Sequence, residues 1–193
     1  IFSLKQCAGP VGMAASGLVI PFLTTHFGWR VGLSFVAVLC VLTALWSQWI
    51  KKDQDSSFQF KDEPISLTHL ADSLKLVLDN PLSIIYKGLQ MSVLAYMVVF
   101  LADMKFSLVF AGLALAVSNF GAIFGRIFWG ALADKIHSSR VVLAICGILM
   151  GIFTVVLSFT QADWPKFVVL IVSFLLGINS LGWSGVFFAQ IAA

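Results

Sequence analysis

Charge is what this chain lacks. Asp, Glu, Lys and Arg make up 11% of its 193 residues, against 60% hydrophobic residues, whereas a soluble domain carries about 25% charge. The 12 Lys and Arg and 9 Asp and Glu are too few to coat a water-facing surface, which excludes an aqueous globular domain. Histidine is equally sparse. His26, His69 and His137 are dispersed, with no ligand at metal spacing, so neither a metal centre nor a metal-based membrane enzyme is expected. Cys7, Cys40 and Cys146 stand singly in apolar stretches and form no disulfide or metal pattern. Gly182-Trp183-Ser184-Gly185 is not the five-residue nucleophile elbow, and no cofactor motif is present. No carboxylate lies deep in any apolar stretch, Asp103 being at an end, so a proton relay through a buried acid is excluded for these segments. The basic residues are divided among short segments and offset by acids, which speaks against nucleic acid as a partner.

What is there are long runs free of charge. Residues 6–29, 31–50, 88–102, 106–125, 141–162 and 167–193 contain no Asp, Glu, Lys or Arg. A hydrocarbon layer roughly 30 Å thick needs about 20 residues of helix, so these runs predict six membrane-spanning helices. The short third run is expected to begin near Pro81 or Leu82, with Lys87 snorkelling toward the headgroups. Barrel strands are excluded because runs such as 31–45 are apolar on every face rather than alternating. Lipid also requires each span to satisfy its own backbone, as helices do.

Eleven of the charged residues crowd into residues 51–87. Of these, 51–61 read as a flexible polar stretch, whereas Leu67, Leu70, Leu74 and Val77 or Leu78 recur at helical spacing after Pro64, predicting an amphipathic helix that ends at Asn80-Pro81. Such a helix lies along the membrane surface or docks a partner. For six spans, Lys5, Lys51, Lys52, Lys61, Lys75, Lys87, Arg126, Lys135 and Arg140 fall on one side and Arg30, Lys105 and Lys166 on the other. Cations mark the cytoplasmic side, which places both ends and the linker there. Trp29, Trp164, Trp46, Trp49 and Trp129 fall at span ends, as interfacial rings should. The start, Ile1-Phe2-Ser3-Leu4-Lys5, has no initiator Met and no cleavage site, and the last run has no basic flank. A piece of a longer membrane protein is expected.

Small and polar residues inside the runs carry the remaining information. Gly121 with Gly125 and Gly147 with Gly151 form GxxxG pairs, and Ala8, Gly12 and Ser16 repeat at the same spacing. Small residues let membrane helices approach closely, so these positions are expected to pack helix on helix. Gln90, Ser92 and Tyr96, then Ser118 and Asn119, then Asn179, Ser180, Trp183 and Ser184 are the polar groups within spans. They either bond neighbouring helices or line a cavity. Arg126, embedded among Phe124, Ile127, Phe128 and Trp129, is costly in lipid and must face protein or water. It fits a gating role among the loop charges, contact with an anionic solute, or snorkelling.

The segment Gly130-Ala131-Leu132-Ala133-Asp134-Lys135, followed five residues later by Arg140, resembles the cytoplasmic signature of the major facilitator superfamily, found between helices two and three and repeated between helices eight and nine. Ser138 stands where glycine is usual and Ile136 where an aromatic is frequent. The long polar linker is similar to the loop between helices six and seven of that family, which makes the six spans helices five to ten of a twelve-helix bundle. Lys5-Gln6-Cys7-Ala8-Gly9-Pro10-Val11-Gly12, with Phe27-Gly28-Trp29-Arg30 beyond it, is similar to fifth helices with a Gly-Pro-x-Gly element. The resemblance implies three parts: residues 1–50 as the end of the first half, 51–81 as the cytoplasmic linker, and 82–193 as four helices of the second half. It implies a secondary transporter working by alternating access, not an enzyme, in the plasma or bacterial inner membrane. Its partners are the lipid bilayer, a small solute and the remaining helices, without which it should not transport. Gln90, Tyr96, Asn119, Asn179 and Trp183 would line the central cavity, and Arg126, Gly130, Asp134, Lys135 and Arg140 would gate its cytoplasmic side. The alternative is a six-helix scaffold or assembly protein without a solute.

Overall fold

The computed structural model describes residues 7–55, 81–136 and 138–191. These form six helices, α1 Ala8–Phe27, α2 Trp29–Asp55, α3 Pro81–Asp103, α4 Leu108–Ile136, α5 Ser139–Ser158 and α6 Lys166–Ile191. All six are long and apolar enough to cross a membrane, and no strand occurs among the described residues. The amphipathic helix expected after Pro64 lies outside the described residues, as do Lys5 and His137. One boundary differs from the sequence reading. The stretch from Lys51, expected to leave the helix, continues α2 to Asp55, because Lys51, Lys52, Asp53, Gln54 and Asp55 contain neither Pro nor Gly to stop it.

Local chemistry sets the helix ends. Pro81 opens α3, where its missing N–H costs nothing. Gly28, at φ 86°, ends α1 while its N–H donates to the Thr24 carbonyl at 3.1 Å. After α3, the Phe106 N–H reaches the Leu101 carbonyl at 3.1 Å and that of Lys105 the Ala102 carbonyl at 3.0 Å. This paired closure places Lys105 at φ 65°, a position that favours glycine. The Ser107 hydroxyl then accepts from the Phe110 N–H at 3.2 Å and caps α4.

The helices fall into two compact units, Ile1–Phe22 with Leu82–Ala193, and Leu23–Pro81. In the smaller unit, α2 exposes Leu33, Val38, Val41, Leu42 and Leu45, the surface a bilayer solvates. In the larger unit, α4 and α6 cross closely, and α3 and α5 pack around them. One apolar cluster contains Met97, Leu101, Phe110, Met150, Val169 and Leu176. A second holds Trp129, Val142, Cys146, Trp183 and Val186.

The α4–α6 crossing is built on glycine. A Cβ at Gly121 would strike the Phe174 carbonyl, one at Gly125 the Ile178 carbonyl, and one at Gly177 the Ser118 carbonyl. Gly182 is 3.0 Å or less, measured from such a Cβ, from the Gly125 backbone. Lipid supplies no hydrophobic drive between helices, so their association rests on this close contact. Trp129 reinforces it by donating from Nε1 to the Ile178 carbonyl at 3.2 Å. The sequence reading had Trp129 in an interfacial belt. Instead it is buried, because its face of α4 meets α6.

Candidate functional site

Near one end of the larger unit, α3, α4 and α6 bring polar groups to a common depth. With a rise of about 1.5 Å per residue, Lys87 lies about 9 Å from the start of α3, Arg126 about 15 Å from the end of α4 and Trp183 about 12 Å from the end of α6. The Lys87 Nζ donates to Gln90 Oε1 at 3.3 Å and stands 5.5 Å from the centre of the Trp183 ring, a cation–π distance. Tyr86 packs on the same ring at 5.1 Å, while its hydroxyl donates to the Leu143 carbonyl at 2.6 Å. Arg126, 6% exposed, directs Nε to the Leu181 carbonyl at 3.5 Å. The Cys7 side chain is a hydrogen-bonding neighbour of the same guanidinium, and the Arg126 charge reaches Lys87.

Along α4 and α6, Trp183 of this cluster included, run polar atoms with incomplete bonding. Ser118 Oγ, Asn119 Oδ1, Asn179 Oδ1, Ser180 Oγ and Trp183 Nε1 are buried without a hydrogen-bond partner. Each amide nitrogen is tied to its own helix, Asn119 to the Leu115 carbonyl at 2.9 Å and Asn179 to that of Leu175 at 2.7 Å. Buried orphan donors and acceptors are costly, and each calls for an explanation.

The five expected cavity residues therefore separate. Gln90 and Trp183 join the Lys87 and Arg126 cluster. Asn119 is enclosed in α4. Asn179 borders an apolar cavity of about 860 Å³ among α4, α5 and α6, with Phe124, Phe128, Phe153 and Phe174. Tyr96, 70% exposed, lines another of about 300 Å³ with Ser92, Met97, Thr154 and Leu176. Of the expected gating residues, Arg126 is buried inside the unit, while Asp134, Lys135 and Arg140 are exposed.

The expected packing glycines separate likewise. Gly121 and Gly125 meet α6, and Gly147 faces the Tyr86 hydroxyl. Gly9, Gly12 and Gly151 have open space where a Cβ would stand, a departure from the expected packing faces, although Pro10 is buried; Gly130, expected in the gating loop, has open space as well. On α1 the contact is made one residue round the helix, at Gly17. A Cβ there would lie 3.0 Å from the Gly112 carbonyl, and one at Gly112 would strike the Gly17 carbonyl and the Pro21 ring. Pro21 has no N–H to give the Gly17 carbonyl four residues earlier, and Gly112 approaches that carbonyl.

Sequence reasoning missed Gly17, Gly112, Gly177, Gly182 and Gly185, and treated Lys87 as a snorkelling residue. A signal for α6 existed, since Ser173, Gly177, Ser180 and Ser184 recur at four, three and four residues, but a GxxxG search passes over it. No metal-holding group of His, Cys, Asp or Glu occurs among the described residues.

No curated protein and no solved structure matches the chain. The family model described as Major Facilitator Superfamily matches residues 1–193, and the signature around Asp134, the six spans and the glycine-built crossings are of a piece with that match. The chain belongs to the major facilitator superfamily.

Proposed function

We propose that this chain forms part of a secondary transporter that moves a small solute by alternating access, its spans taking the places of helices five to ten. One observation carries the reading: α1, which precedes the polar linker, meets α4, which follows it, through Gly17 and Pro21 against Gly112 and Ala116. Backbone against backbone, with almost no side chain between, is a contact that can separate and re-form without repacking a core. The orphan polar atoms of α4 and α6 favour this over a closed scaffold, which would have paired them. In this reading Lys51, Lys52, Lys135 and Arg140 face the cytoplasm by the excess of cations on that side. The exposed Asp134, Lys135 and Arg140 help hold that face in one state.

Substituted-cysteine accessibility in the full-length protein, with its native cysteines replaced by serine, tests the mechanism without knowing the solute. Gln90→Cys should react with a membrane-impermeant maleimide from either face of sealed vesicles. Oxidising an added Gly17→Cys and Gly112→Cys pair should restrict that reaction to one face. Reaction confined to the same face with and without the bridge would remove alternating access.

A further inference from the structure

A cavity of about 860 Å³ lies in the larger unit where three helices do not close on one another. Gly121 and Gly125 draw α4 onto α6, while α5 packs on α6 but scarcely on α4. The gap left between α4 and α5 is walled by Phe124 and Phe128 on one side and Leu149 and Phe153 on the other, with Phe174 and Ile178 of α6 as its floor. Two further lining residues, Trp129 and Asn179, have polar ends, and both turn them into the protein. The indole N–H donates to the Ile178 carbonyl at 3.2 Å. The Asn179 amide donates to the Leu175 carbonyl at 2.7 Å, and its Oδ1 is buried. The wall therefore offers hydrocarbon, and apolar cavities stay dry.

This cavity opens outward at mid-membrane. Phe124, Ile127 and Phe128, which border it, are half exposed. The 20 residues of α5 match a hydrocarbon layer of roughly 30 Å, and Leu149 and Phe153 stand about 15–21 Å along them. Beyond the rim the surface stays apolar. Phe120, 5.3 Å from the Phe124 ring, is exposed, as are Ile148 and Ile152, each next to a lining residue of α5. Helices meet in lipid over small residues, as α4 and α6 do, whereas this rim carries Phe and Ile. A lipid chain suits it better than a further helix.

We propose that the gap between α4 and α5 binds one acyl chain of a phospholipid, held by the protein after the surrounding lipid has been removed. The chain occupies the space that side chains leave between the two helices, and its contacts with the rings and Leu149 replace those the helices do not make with each other. The inference needs the membrane-spanning helices, not the transport reading.

Photolabelling of the full-length protein with a phosphatidylcholine that carries a diazirine midway along one chain tests it. Illuminated in liposomes, the probe should label both the gap and the exposed Leu33, Val41 and Leu45 of α2, which any bilayer lipid touches. After extraction and washing in lipid-free detergent, illumination should still label residues 124–129 and 149–153 and no longer α2. Leu149→Trp, which fills the gap, should cut that retained label by about tenfold or more. Retained label shared equally with α2, its absence from the gap, or label unchanged in Leu149→Trp would overturn the assignment. Should Leu149→Trp fail to fold, Ile127→Trp at the half-exposed rim takes its place with the same expected loss. A gap unlabelled even in liposomes would give the cavity to another helix or to a ligand that is not a phospholipid, and would overturn the assignment as well.

Discussion

Lys105 occupies a left-handed position, φ 65°, closing α3 where glycine has no steric penalty. Lys105→Gly should therefore raise stability by about 0.5–1 kcal/mol, the relieved strain being partly offset by a looser unfolded chain. A lower thermal midpoint than the parent would contradict that account of the turn. Trp129 makes the opposite case. Trp129→Phe keeps an aromatic ring but leaves the Ile178 carbonyl without its 3.2 Å donor, a loss of about 1–2 kcal/mol. The same change at Trp46, which is exposed, should leave the midpoint unchanged. The two tryptophans look alike in sequence, since each follows an apolar run near a span end. Only the partner helix separates them, and the partner is not written in the local sequence.

At the scale of helices, existence and approximate position were legible because lipid imposes one rule, an uninterrupted apolar run of sufficient length. The start of α3 at Pro81 followed from that length requirement together with the Asn80-Pro81 break. Which face packs on which was only partly legible. Gly121 and Gly125 carry a repeat that the structure places against Phe174 and Ile178. Gly151 carries the same repeat with Gly147 but meets open space, because Tyr86 covers that face of α5 only at Gly147 among the described residues. Gly177→Leu should thus destabilise by about 1–3 kcal/mol or rearrange the crossing, as overpacking does, whereas Gly151→Leu should be tolerated within about 0.5 kcal/mol. Comparable losses in both, read by thermal unfolding in the same lipid, would show that the α4–α6 contact is not what holds the unit.

For the whole molecule, the family was legible from about 20 residues around Asp134 and Pro10, and the family match extends over the chain. The polar cluster was not. Gln90, Arg126 and Trp183 were each visible as polar groups in apolar runs, yet Lys87 looked like an interfacial residue until α6 brought Trp183 within 5.5 Å of it. Chemistry that depends on three helices meeting at one depth requires the fold to be seen. The Gly17 and Gly112 contact is similar, because the two residues belong to spans on either side of the linker and neither lies in a GxxxG pair.

The most direct test of alternating access is the distance between nitroxides at Trp49→Cys and Ile136→Cys, both exposed and, in the transport reading proposed above, on the cytoplasmic side, in the full-length protein in liposomes. Pulsed dipolar spectroscopy should show two distance populations, and closing a disulfide between Gly17→Cys and Gly112→Cys should leave one. A single population, unchanged by the bridge, would contradict the account.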